Sequence, residues 1–122
     1  MSAIPRTSLS AITFHSNEPE RLARFYAEAV GLPFEPHRHG TLPEHFEAFV
    51  NGIHFAMWKA NENVGGPIVP VFRVSDVDGS AARLVASGVP QLHKMLEIGE
   101  GKRVVTFRDP DGSAFRLIQI RE

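Results

Sequence analysis

VPVFRVSDVDGSAARLVASG, residues 69–88, is the stretch on which the fold turns. It opens as a period-two run in which Pro70, Phe72 and Val74 share one side, the pattern of a half-buried strand. Asp76 and Asp78 then offer caps for a helix carrying Val77, Ala81, Leu84 and Val85, closed by Gly88. The same succession stands earlier in the chain. Ser10 to Ser16 alternates with Ile12 and Phe14 on one face, and Asn17-Glu18-Pro19-Glu20 reads as a helix start with a capping side chain and an early proline. That helix carries Leu22, Phe25, Ala29 and Val30 as its apolar stripe and stops at Gly31. Phe14 answers Phe72 and Gly31 answers Gly88, so the chain repeats with a period close to half its length.

Three strands follow each strand–helix pair. In the first half these are Phe34 to His39 and a hairpin from Phe46 to Lys59, turned at Asn51-Gly52, a pair suited to the positive φ angles of a type I′ turn. In the second half they are Gln91 to Ile98, Arg103 to Arg108 and Ala114 to Ile120. Asp109-Pro110-Asp111-Gly112 between the last two fits a type I turn. The expected organisation is one small domain of two βαβββ modules, about residues 9–60 and 68–121, with a linker over 61–67 and a loose arm over 1–8. A ferredoxin-like βαββαβ fold is the alternative, and it leaves two strands over.

Bulk properties narrow the function. Thirteen basic residues against fourteen acidic ones give no electrostatic case for nucleic acid or an anionic membrane. There is no cysteine, which excludes disulfides, thiolate metal sites and cysteine nucleophiles. The first ten residues lack the apolar core of a signal peptide and no apolar run reaches spanning length, so the expected address is cytoplasmic. Nucleophile-elbow, zinc-protease, P-loop and dinucleotide-binding motifs are absent.

Strand alternation sorts the remaining polar candidates. If Ile12 and Phe14, Phe55 and Met57, Phe72 and Val74, and Phe115 and Leu117 face the helices, the opposite face collects His15, His54, Arg73 and Arg116 beside Trp58, Val71 and Ile118. An apolar floor with a few convergent polar groups suits a small-molecule pocket. The competing reading of each such residue is solvated surface or a carboxylate pair. His37, His39 and His45 fall in a loop region; they could hold a metal, but solvated loop histidines are the commoner case.

Three motifs carry a family resemblance. Phe25-Tyr26-Ala27-Glu28-Ala29-Val30-Gly31-Leu32 is similar to the first helix end of vicinal oxygen chelate proteins, the superfamily of glyoxalase, bleomycin-resistance protein and extradiol dioxygenase. Phe72 to Asp78 with Leu84 and Ala86-Ser87-Gly88-Val89 resembles their second strand–helix unit, and Val105 to Ser113 resembles their Asp-Pro-Asp-Gly turn. The resemblance implies an α+β fold, a cup-shaped eight-stranded mixed sheet with helices on its outer face, a ligand inside the cup and a homodimer. It also implies four metal-ligand positions, which here fall on Ala11, His54, Val69 and Arg116. Alanine, valine and arginine cannot coordinate. The expected function is therefore metal-independent binding of a small molecule, anionic where the arginines hold it, through His15, His54, Trp58, Arg73 and Arg116, with no cofactor. The first alternative is a lyase, isomerase or dioxygenase using a divalent metal at a non-standard site, or acid–base chemistry at His54 or His15. The second is an accessory or regulatory domain without a ligand.

Overall fold

A computed structural model of the chain describes residues 7–38, 40–41, 43–60 and 67–121. The architecture is α+β and falls into two compact units, residues 10–69, and residues 70–121 with residues 7–9. The expected linker, save Pro67, and most of the N-terminal arm lie outside the described residues, as does His39.

The first unit runs β1 (Thr7–Ser16), α1 (Pro19–Phe25), a π-helical turn (Tyr26–Val30), β2 (Glu35–His37), β3 (His45–Val50) and β4 (Ile53–Lys59). Its strands lie in the order β2-β3-β4-β1. β1 and β4 are parallel, with Ala11 opposite His54 and His15 opposite Trp58. β3 and β4 form the expected hairpin. Asn51 and Gly52 take φ of 51° and 81°, and Val50 lies opposite Ile53. Alternation then drives Phe14, Phe46 and Met57 onto one side, where they bury Ala23 and pack against Leu22, Tyr26, Phe34 and Phe55.

The helix stripe differs from the expected one. Leu22, Ala23 and Tyr26 make the contact, while Phe25 is 55% exposed and Ala29 and Val30 face solvent. The buried stripe is centred one residue further round the helix, leaving Phe25 at its edge against the Tyr26 ring, with a centroid separation of 5.3 Å. Beyond Phe25 the i→i+5 bonding of the π turn breaks the 3.6 period, so Ala29 and Val30 no longer continue the stripe. The helix start is also built differently: Ser16 Oγ accepts from Glu18 N–H at 3.0 Å, and no side chain caps at Glu18 itself.

The second unit runs β5 (Ile68–Val74), α2 (Val77–Ala86), β6 (Leu96–Glu97), β7 (Lys102–Arg108) and β8 (Ala114–Ile120), with strand order β5-β8-β7-β6. β5 and β8 are parallel; the other pairs are antiparallel. Val74, Val77, Ala81, Val105, Phe107 and Leu117 form its core, with Phe72 and Phe115 against it. Val85, expected on the buried stripe, is exposed. Asp76 caps α2 by accepting from Gly79 N–H at 3.0 Å, whereas Asp78 turns away to pair with Arg103. The strand expected over Gln91 to Ile98 shrinks to Leu96–Glu97 with a lone bridge at Gln91. The carbonyls of His93 and Lys94 are occupied by the side chains of Gln91 and His93, which removes them from any ladder. The turn at Asp109 is as expected, with Gly112 N–H donating to Asp109 O at 2.9 Å and Gly112 at φ 87°.

Phe107→Ala should lower unfolding free energy by about 3–5 kcal/mol in urea titration, whereas Phe25→Ala should change it by less than about 0.5 kcal/mol. The contrast separates the observed core from the stripe read off the helix period.

Candidate functional site

The face of the first unit opposite α1 is set by the hairpin register. Phe49 lies opposite His54, Glu47 opposite Ala56, and Phe46 opposite Met57. Because Phe46 and Met57 pack toward the helix, His45, Glu47 and Phe49 join His54, Ala56 and Trp58 on the other side. Three imidazoles meet the Glu47 carboxylate there. His54 Nε2 lies 2.6 Å from Oε1, His45 Nε2 lies 3.1 Å from Oε2, and His37 Nδ1 lies 3.5 Å from Oε2.

His45 is not a solvated loop histidine. It opens β3, is 2% exposed and stacks on Trp58 with ring centroids 3.8 Å apart and planes within 8°. Its Nδ1 contacts Pro43 O at 3.2 Å. A carbonyl only accepts, so Nδ1 carries a proton, and the contact with Glu47 places a further proton between Nε2 and the carboxylate. His37 belongs to β2 and stacks on His45 with centroids 6.3 Å apart. The Phe49 ring covers His54 at 4.5 Å, with the planes 15° apart. His15 is buried on β1 opposite Trp58.

Glu47 was missed from the sequence. The signal lay in the two-residue turn: once Val50 faces Ile53, Glu47 must share a face with His54. Sorting only one strand of the hairpin left its acid unread.

In the second unit Val71 lies opposite Arg116 and Arg73 opposite Ile118, which puts both arginines on the side away from α2. Each donates to a different group. Arg73 Nη2 donates to Ile120 O at 3.1 Å and lines a cavity of about 790 Å³ with Ser75, Gln119 and Arg121. Arg116 turns to β7 instead, where its Nε donates to Thr106 Oγ1 at 3.2 Å. Thr106 Oγ1 lies 2.8 Å from His93 Nε2, and His93 Nδ1 lies 2.7 Å from Lys94 O. The chain of donors follows from its end. Lys94 O only accepts, so His93 donates from Nδ1 and accepts at Nε2 from the threonine hydroxyl, whose oxygen accepts from Arg116. Burial pushes the Arg116 guanidinium below the usual arginine pKa, and among the described residues no carboxylate pairs with it.

A glyoxalase-like domain family matches residues 11–118, and the chain belongs to that family. No curated protein matches it significantly. Among solved structures it is similar to a hypothetical protein from Bacillus halodurans, at 11% identity and TM-score 0.73 over 95% of this chain and 96% of that one. Methylmalonyl-CoA epimerase from Streptomyces coelicolor, bound to 2-nitronate-propionyl-CoA, matches at 17% identity and TM-score 0.69 over 93% and 97%. A superfamily member from Vibrio splendidus matches at 16% and 0.66 over 95% and 99%.

The residues at the metal-ligand positions that the resemblance implies do not fit a divalent metal. Ala11, opposite His54, supplies no donor, Val69 is a fully buried hydrocarbon, and Arg116 carries a cation and no lone pair to give. Among the described residues no group of three or more histidines and acids is arranged to hold a metal ion. Among the described residues no helix is long and apolar enough to cross a membrane.

Glu47→Ala should destabilise the fold by about 1–3 kcal/mol, since it leaves the buried His45 Nε2 without its partner. Glu47→Gln, which retains an acceptor oxygen, should cost less in the same thermal or urea titration.

Proposed function

We propose that the chain binds a small oxygen-rich anion without a metal, and that Arg116 is the group that holds it. The observation carrying this reading is the half-buried Arg116 guanidinium, engaged through Nε alone and paired with no carboxylate among the described residues. Burying a cation without a counter-charge is costly, and a structure that does so gains from an anion that supplies one. The Thr106–His93–Lys94 chain fixes the guanidinium through Nε, leaving its terminal nitrogens as a fork suited to a carboxylate or phosphate. A fixed cation of this kind takes the part that a metal ion plays in oxygen-chelating relatives.

The same reading includes a homodimer in the cytoplasm. Phe25, Val30 and Phe49 remain exposed on one chain, and burying such residues is what a second copy would achieve. Sedimentation that finds single chains at tens of micromolar, about the range where such pairs form, would count against it.

Thermal-shift and calorimetric titration with small carboxylates and their methyl esters test the binding reading. The free acids should bind and the esters should not. Arg116→Ala should lose about 2–5 kcal/mol of acid binding. Arg116→Met should abolish binding while raising the melting temperature of the unliganded protein, because it removes a buried charge and keeps the apolar stem. Equal binding of acids and esters, or undiminished binding to Arg116→Ala, would make the arginine structural.

A further inference from the structure

β5 and β8 run parallel and end side by side, and the second unit opens a cavity of about 790 Å³ at their carboxyl ends. Crevices of this kind form where parallel strands stop and a helix departs. The volume lies within the about 300–1,000 Å³ usual for small-molecule sites. Arg73 and Arg121 both line it, with the hydroxyls of Ser8 and Ser75, and among the described residues no carboxylate does. Arg73 is anchored by the bond from Nη2 to Ile120 O, and the Arg121 backbone by a bond from its N–H to Gly101 O at 2.7 Å. Arg121 forms no ion pair among the described residues, whereas Arg103 takes both Asp78 and Glu97. Gln119 settles the polarity of the wall between them. Val77 N–H only donates, so the amide oxygen faces it at 2.9 Å and Nε2 is left as a donor. The Val77 and Gly79 amides at the start of α2 are taken by Gln119 and Asp76, so the donors on offer are side chains.

Two guanidiniums at one cavity repel each other, and an oxyanion between them removes that cost. We propose that this cavity is a second ligand site, separate from Arg116, for a phosphate monoester with a hydroxylated body, of sugar-phosphate size. A phosphoryl group carries about −1.5 to −2 charge at neutral pH, which matches two arginines where a carboxylate would match one. The guanidinium fork also fits its oxygens in pairs. A bare oxyanion fills only a small part of the volume. The rest of the wall suits a polyol: the Ser8 and Ser75 hydroxyls donate or accept, and Gln119 Nε2 donates. Arg116 takes no part, since its Nε turns to Thr106 on β7 and the residue does not line this cavity. The proposal therefore does not rest on the reading of Arg116.

Titration of the full, isotope-labelled chain with ribose 5-phosphate tests it, with ribose and inorganic phosphate as comparisons. Ribose 5-phosphate should give saturable shifts of the backbone amides centred on Arg73, Ser75, Gln119 and Arg121. Ribose should give none, and inorganic phosphate should bind more weakly than the ester. Arg121→Ala should weaken ribose 5-phosphate binding about tenfold or more, the scale of a lost hydrogen bond to a charged group. Arg121→Glu should abolish it. Arg121 is exposed, so neither change threatens the fold. Arg73→Lys, which keeps the charge and loses the fork, should also weaken binding. No saturable shift, or shifts confined to Thr106 and Arg116, would overturn the proposal. So would equal affinity for inorganic phosphate, or undiminished binding to Arg121→Glu. Discrimination between acids and esters at Arg116 is read at other amides and would stand either way.

Discussion

The two-residue turn at Asn51-Gly52 sets the register on which the first unit depends. Both residues sit in the left-handed region, which asparagine and glycine enter at little cost. With the turn fixed, Val50 meets Ile53, and every later pair along β3 and β4 follows. A slip of one residue would send Glu47 toward α1 and Phe46 toward solvent, burying a carboxylate in hydrocarbon and exposing a core ring. The cost of that exchange makes the pairing unambiguous. The proton-sharing cluster therefore inherits its geometry from a turn that touches none of its members.

The two units handle buried polarity differently. In the first, a carboxylate is matched by imidazoles, so that charge and hydrogen bonds are satisfied within one face. In the second, a guanidinium is oriented by neutral partners that can donate and accept but carry no charge to oppose it. Satisfied clusters rigidify, whereas a buried charge without an opposing one is costly.

Much of this was legible in the sequence. The repeat, the Asn-Gly and Asp109–Gly112 turns, the placement of Phe14 and Phe72 on helix-facing sides and the opposite placement of His54 and Arg116 all follow from period-two alternation and turn chemistry. What escaped did so for identifiable reasons. The α1 stripe was misread because a π turn breaks the period on which stripe reading rests. His45 was assigned to a loop because nothing local marks a strand's first residue, and its burial comes from Trp58, which lies on the neighbouring strand. Arg73 and Arg116 share a face by parity, but parity cannot say that one side chain reaches along the sheet to Ile120 O while the other reaches across to Thr106.

β2 and β6 are three and two residues long, and each is the last strand in its unit's order. An outer strand with a long row of unpaired amides is a template on which another chain can add, and growth of that kind ends in fibrils. β2 contains Pro36, which has no amide to offer, and Glu35; β6 ends in Glu97. Truncation, a proline and like charges leave little to copy. The irregular course of Gln91 to Met95, which prevents a longer sixth strand, thus serves solubility: the same side-chain bonds that shorten the ladder keep the chain from seeding its own aggregation.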